Sequence, residues 1–347
     1  MRILRRALRA AGIAALLTAA WGVGSRAAFA DAAAQPSALH SGVIRGHIVD
    51  HTPPARPVAG QLVRLHIVER GTSSERQMRT RADGTFVFAG LPVGGLRVFL
   101  VSTEYEGAVY QGAQRIVLTP DAPVRDVPLG VYDAGVDRGA LRGTLLFSVV
   151  DIVPGALRVT TVEQVQNESP RTIVPTRTDP LVFPVPDAAV AVEPLDGWKD
   201  PRVEAGRITD TRAVPPSGVQ LTYAYQERPA GHRASLSWTP PFGAARVEIL
   251  VSDAHVGVAG AGLRDAGPLT ASGRRYVHWS GGPIAAGGTL RLRLDGLPAA
   301  GDRWPGLAAG GLAAALAVGL GSALWGRGLS LVRREGPAEP RSSASSR

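Results

Sequence analysis

The chain has 347 residues, no cysteine, and a net charge of +9 from 38 Lys and Arg against 29 Asp and Glu. Without cysteine there is no disulfide scaffold, thiol catalysis, c-type haem attachment or cysteine-ligated zinc. The charge does not point to nucleic acid, because five arginines and no acid fall in residues 1–30, five arginines and two glutamates fall in 326–347, and the stretch between is left at +1 with no basic patch.

The first thirty residues have the order of a secretory signal. Arg2, Arg5, Arg6 and Arg9 form a basic start, Ala10 to Val23 is apolar, and Ala28-Phe29-Ala30 is a small-x-small cleavage site ahead of Asp31. Residues 1–30 are therefore set apart from the fold, and 31–41 reads as a linker. Abundant Ala, Gly and Pro, with Lys199 as the single lysine, give the look of a GC-rich bacterial coding bias.

From Val43 onward the pattern changes to short alternating apolar runs separated by turn residues, which predicts an all-β chain. VIRGHIVD (43–50), VAGQLVRLHIV (58–68), TFVFAG (85–90) and LRVFLVS (96–102) read as strands, and RIVLTP and VRDVPLGV close the set. Asp83-Gly84, between Met78-Arg79-Thr80 and Thr85-Phe86-Val87, predicts a tight hairpin, since Gly reaches positive φ cheaply and Asp bonds its own downstream backbone. A calcium loop needs several clustered oxygen ligands, and Asp83 has no acidic neighbour there. His66 and Glu69 match the HxxE spacing of a zinc pair, but residues three apart in a strand point to opposite faces, and no third ligand follows.

The run from Gly46 through Pro57, Val58, Gly60, Val63 and Leu65 to Thr80, Asp83, Gly84, Phe86, Phe88, Leu91, Pro92 and Gly94 resembles the carboxypeptidase regulatory-like domain. The resemblance covers residues 42–131, about a quarter of the chain. It implies a prealbumin-like seven-stranded sandwich for residues 42–133. It also implies a structural, carbohydrate-binding-like accessory role without catalytic residues.

Residues 134–298 continue with LRGTLLFSVV, ALRVTTVEQVQN, LVFPVP, AVAVEP, VQLTYAYQ, ASLSWT, ARVEILV, RYVHWS and TLRLRLDGLP, enough for a second antiparallel sandwich. In the last of these, Leu290, Leu292 and Leu294 alternate with Arg291 and Arg293, the mark of a half-buried strand. Tyr223, Tyr225, Trp238, Tyr276 and Trp279, with Trp198 in a loop, are the candidate ligand-stacking residues, because such rings offer an apolar face with a polar tip. The same rings also suit cross-strand pairs in a core. His255 and His278 lack acidic companions in sequence, and Asp196, Asp200 and Glu204 read as a solvated loop. No G-x-S-x-G elbow, Walker loop or G-x-G-x-x-G after a strand is present, so no catalytic residue, cofactor or metal is expected. Asn167-Glu168-Ser169 matches a glycosylation sequon of little weight in a bacterial-looking chain.

Residues 299–304 read as a stem and 305–325 as a transmembrane helix. Gly306 to Leu324 carries no charge, Trp304 and Trp325 bracket it, and about 20 apolar residues cross a bilayer core. Arg327, Arg333 and Arg334 follow, which places the tail 326–347 on the cytoplasmic side. The expected whole is two tandem antiparallel β-sandwiches plus one C-terminal span. It would sit in a bacterial cytoplasmic membrane with an extracytoplasmic, periplasmic body. The expected function is a non-enzymatic module that presents β-surfaces to an envelope protein partner. The alternatives are an envelope carbohydrate-binding protein and an unfamiliar hydrolase.

Overall fold

A computed structural model describes residues 41–112, 115–153, 155–252, 256–271 and 274–298. Apart from one 3-10 turn at Arg138–Ala140, the helices and strands among them are all strands. No helix among the described residues is long and apolar enough to cross a membrane. The expected signal, stem, span and tail lie outside the described residues, as does all of the linker but its last residue.

Nine strands build the N-terminal half: β1 (Gly42–Asp50), β2 (Arg56–Pro57), β3 (Leu62–Glu69), β4 (Thr72–Arg79), β5 (Thr85–Leu91), β6 (Arg97–Tyr105), β7 (Ala108–Gln111), β8 (Val124–Asp126) and β9 (Leu129–Val131). One sheet centres on β1, which pairs antiparallel with β2 and β5 and parallel with β8 and β9. The other runs β4-β3-β6-β7. Alternation sends Val63 and Leu65 from β3, Phe86 and Phe88 from β5 and Phe99 and Val101 from β6 into one core with Ile44 and Ile48. Each such fully buried side chain stabilises by roughly 1.5–3 kcal/mol. RIVLTP forms no strand; Ile116 alone bridges to Phe99.

The Asp83-Gly84 turn is not a hairpin. β4 pairs with β3 and β5 pairs with β1, so the turn carries the chain from one sheet to the other. Arg81 N donates to Thr85 O at 2.8 Å, Gly84 N to Arg81 O at 3.0 Å, and Asp83 Oδ1 accepts from the Thr85 amide at 3.0 Å. The bonds from Thr85 hold the Asp83 carboxyl below its ordinary range. Thr80 anchors the approach, donating to Val58 O at 2.6 Å and accepting from Gln61 N at 2.9 Å.

The C-terminal half comprises β10 (Ala134–Gly135), β11 (Leu141–Val153), β12 (Ala156–Asn167), β13 (Thr172–Ile173), β14 (Leu181–Pro184), β15 (Val190–Asp196), β16 (Arg202–Glu204) and β17 (Arg207–Asp210). It continues with β18 (Val219–Glu227), β19 (Arg233–Trp238), β20 (Arg246–Ser252), β21 (Gly257–Ala259), β22 (Leu263–Ala271), β23 (Arg274–Gly281) and β24 (Leu290–Asp295). A seven-stranded sheet runs β15-β18-β12-β11-β20-β23-β22, and two three-stranded sheets run β14-β17-β16 and β19-β24-β21. The large sheet supplies Leu146, Val159, Tyr225 and Ile249 to a core that the small sheets complete with Phe183, Ile208, Leu236 and Leu292. A smaller cluster of Leu145, Phe147, Val149, Val162, Leu250 and Tyr276 occupies its opposite face. β24 alternates as expected, with Leu290, Leu292 and Leu294 buried and both arginines exposed.

Strand pairing is not purely antiparallel. β11 runs parallel to β20, as β1 does to β8 and β9. Asp196 and Glu204, expected in a solvated loop, end strands β15 and β16.

The two halves are joined by more than the chain. β10 pairs parallel with β13, through Ala134 to Thr172 and Gly135 to Ile173, which pins the linking segment to the C-terminal half, and the Ala134 amide donates to Glu106 across the joint. Tyr110 of β7 donates to Tyr132 O at 3.0 Å and shares a 2.7 Å bond with the Thr172 hydroxyl. Arg171 lies 3.4 Å from Asp133 across the joint, and Asp133 is held on the N-terminal side by Arg56 at 3.0 Å, which also lies 3.0 Å from Asp50. Val174 and Ala213 pack against the N-terminal core.

Candidate functional site

Four of the six candidate stacking rings are core residues. β18 alternates, so Leu221, Tyr223 and Tyr225 all face the main core, where the two tyrosines are 2% and 1% exposed. Their rings stack at 6.4 Å and 20°. Tyr223 donates to Glu163 Oε1 at 3.0 Å, and Trp238 Nε1 donates to Thr161 Oγ1 at 3.3 Å. Burial pushes both tyrosine hydroxyls well above their ordinary range and raises Glu163 to about 7. Tyr276 is equally buried in the cluster on the sheet's other face. Tyr223, Tyr225 and Trp238 offer no face to a ligand, because the small sheets pack over them, and Tyr276 is equally enclosed at 1% exposure. Trp279 is half-buried and packs against the main core.

Trp198 is the exception, because it borders a cleft. It sits in the turn after β15 and is half-buried. Its Nε1 donates to Thr222 O at 2.6 Å, and its ring meets Phe183 edge-on at 5.3 Å and Tyr223 at 6.3 Å. Behind it, the buried Asp210 carboxylate accepts from the Asp200 amide at 2.7 Å and the Lys199 amide at 3.2 Å, which fixes the loop. Gly197 makes the turn at φ +87, where a Cβ would strike the Gln220 carbonyl.

The cleft has a volume of about 390 Å³ and lies between the halves. Val109 and Gln111 of β7 form one wall; Trp198, Lys199, Arg212 and Ser217 line the rest with small and apolar residues. No acidic side chain lines it. Lys199 and Gln111 are exposed and Arg212 is half-buried. A cleft between packed units with a few convergent polar groups is the usual form of a small-ligand site. The sequence reading missed Gln111, Arg212 and Ser217, which are distant from Trp198 along the chain. The one local signal was the pair Trp198-Lys199, a half-apolar ring beside the only lysine.

The remaining polar groups are engaged locally. His66 contacts Glu75 at 3.2 Å and Ser102 at 2.9 Å, whereas Glu69 bonds Arg97 at 2.7 Å, so the HxxE pair is split between separate partners. His278, expected without an acidic companion, lies 2.6 Å from Glu248 on the neighbouring strand. His255 lies outside the described residues. Asn167 is buried and donates to Arg171 O and Val214 O at 2.7 and 2.8 Å, a structural use of the sequon residue. A second cleft of about 320 Å³ holds Arg177 and Asp200, which pair at 3.2 Å, and Glu204 with Arg207. Among the described residues no group of three or more His, Asp or Glu side chains is placed to hold a metal ion.

Comparison with known proteins finds no family model that matches the chain and no matching curated protein.

Proposed function

We propose that the chain is a membrane-anchored, extracytoplasmic binding or assembly module of a bacterial envelope, non-enzymatic, which presents a β-surface to a protein partner. In this reading residues 42–133 form a β-sandwich of the carboxypeptidase regulatory-like type and 134–298 a second one. The basic and apolar leader and the apolar stretch 305–325 followed by arginines support export and a single anchoring span, with the tail inside.

The observation that carries the reading is the edge of β4. Most other edge strands of comparable length are blunted: β15 contains Pro194, β22 contains Pro268, and both, like β5, carry register breaks, while the unbroken edge of β19 is shorter at six residues. β4 pairs with β3 over eight unbroken positions and contains no proline. The Arg70-Gly71 turn closes on Glu69 and Thr72, so Thr72, Ser74, Arg76 and Met78 spend their backbone groups on β3. Ser73, Glu75, Gln77 and Arg79 turn theirs outward, and all four are exposed. Such an edge accepts an extended strand from a partner through main-chain hydrogen bonds. Its mixed charges, Glu75, Arg76 and Arg79, disfavour indiscriminate pairing and select a complementary strand.

The test is crosslinked purification of the full-length protein from its native membrane in mild detergent, with Gln77→Pro beside the wild type. Proline at Gln77 removes an outward N–H and no bond to β3. A stoichiometric partner with wild type, lost with the variant, is the expected result; wild-type protein recovered alone would sink the proposal.

A further inference from the structure

We infer that the cleft at Trp198 is a binding site for an acidic saccharide, a sugar ring bearing a carboxylate, separate from the β4 edge. The site combines two features that a saccharide acid requires. The first is a rigid aromatic wall. Trp198 is fixed by its bond to Thr222 O and by edge-on contact with Phe183 and Tyr223, so ordering it costs little when a ligand arrives. The apolar face of a pyranose packs against such a ring, and Val109 and Val219 extend the apolar surface.

The second feature is uncompensated positive charge. Lys199 and Arg212 line the cleft, neither side chain has an ion-pair partner among the described residues, and no carboxylate lines the walls. Of the acids close by in the chain or fold, Asp210 is spent on the Lys199 and Asp200 amides and Asp200 on Arg177. By contrast, the cleft at Arg177, Arg202 and Arg207 is also lined by Asp200, Glu204 and Asp210, and two of its arginines are paired with Asp200 and Glu204. A carboxylate brought to Lys199 and Arg212 forms charge-assisted hydrogen bonds without displacing an existing partner. Gln111 and Ser217 supply amide and hydroxyl groups for ring hydroxyls from opposite walls. A volume of about 390 Å³ suits a short stretch of an oligosaccharide rather than a protein surface. Because both halves contribute walls, occupancy would also depend on the joint between them.

The experiment is calorimetric titration of the full-length protein in mild detergent with tetragalacturonate and a tetrasaccharide of hyaluronan as probes, and maltotetraose as the neutral control. Saturable binding of an acidic probe, weakened at least tenfold by the double substitution Lys199→Gln/Arg212→Gln and by raised salt, is expected. Both substitutions are at solvent-reached positions, and unchanged thermal unfolding shows that the fold is kept. Trp198→Phe should weaken the same binding severalfold. Absence of binding by both acidic probes, or binding that the double variant retains, would overturn the proposal. Equal binding of maltotetraose would overturn the acidic specificity. Loss in the double variant with Trp198→Phe unaffected would overturn the saccharide assignment and leave a simple anion contact.

Discussion

Glu163 is the buried carboxyl that ties stability to pH near neutrality. It stands on β12 facing the main core, 5% exposed, with the Tyr223 hydroxyl at 3.0 Å as its partner. Burial raises its pKa from an ordinary 4.5 to about 7, and the Tyr223 bond offsets only part of that. The folded state therefore holds this proton where the unfolded chain has released it. Its favourable contribution is fully present below pH 4.5 and is lost as pH rises through about 7. The total change is about 3 kcal/mol, at about 1.4 kcal/mol for each tenfold change in proton concentration. Glu163→Gln keeps an acceptor for Tyr223 and removes the ionisation. The variant should gain stability relative to wild type at pH 8, by up to that amount, and should flatten the decline between pH 5 and 8. Denaturant midpoints across that range would measure it; parallel curves for the two proteins would show that the carboxyl does not titrate in the core.

At the scale of elements, the sheet crossover at Asp83-Gly84 decides how the N-terminal half closes. Gly84 has φ +78, its carbonyl accepts from Ile48 N at 2.9 Å, and a Cβ there would lie 2.7 Å from Ile48 O. Gly84→Ala should therefore cost roughly 1–3 kcal/mol, from left-handed backbone strain and that backbone clash. Gly71→Ala is the control: it shares positive φ but meets nothing nearby, and should cost less. Equal losses in thermal unfolding would mean that the close approach to β1 carries no energy. This turn also marks how far the sequence could be read. Alternation made strands such as β3, β18 and β24 legible, because period-2 patterning is written locally, while β11 and β12, buried on both faces, were marked by their apolar and β-branched run. Which strands pair is not local. Asp-Gly chemistry specifies a turn, but whether its flanking strands bond each other or two different sheets depends on partners such as β1 and β3, which are distant along the chain. The parallel pairing of β11 with β20 was hidden for the same reason. Among the aromatics, alternation could assign Tyr223 and Tyr225 to one face but not say that the face was covered. Trp198 could be singled out, but its cleft could not, since Gln111 and Arg212 reach it only through tertiary packing.

For the whole molecule, the joint between the halves is the feature on which a two-walled cleft depends. It is polar and specific: Asp133, which Arg56 also holds, meets Arg171, Tyr110 meets Thr172, and the Ala134 amide meets Glu106. Burial alone would raise the Asp50 carboxyl, but the Thr52 amide and hydroxyl and the Arg56 charge overcome it and hold the group below its ordinary 3.8. Its contribution is thus present above that value and lost as pH falls below it, the opposite limb to Glu163. Acid should loosen this Asp50–Arg56–Asp133 cluster beside the joint before it melts the main core, because protonation removes the favourable bonds of Asp50, whereas the buried Glu163 is favoured by it. The segment from Tyr132 to Leu141 links the halves and carries Val136 at 88% exposure, so it reports on the joint. Tyr110→Phe/Arg171→Ala removes two of the side-chain ties without entering either core as a cavity. Limited proteolysis should cut this segment several times faster in the double variant at pH 7, with thermal unfolding of the main transition little changed. If cleavage is no faster, the packing of Val174 and Ala213 suffices to hold the halves and the β10–β13 pairing to pin the segment. The polar ties would then serve only to satisfy buried groups. If both cleavage and the main transition shift together, the halves unfold as one cooperative body, and the cleft between them is as rigid as either core.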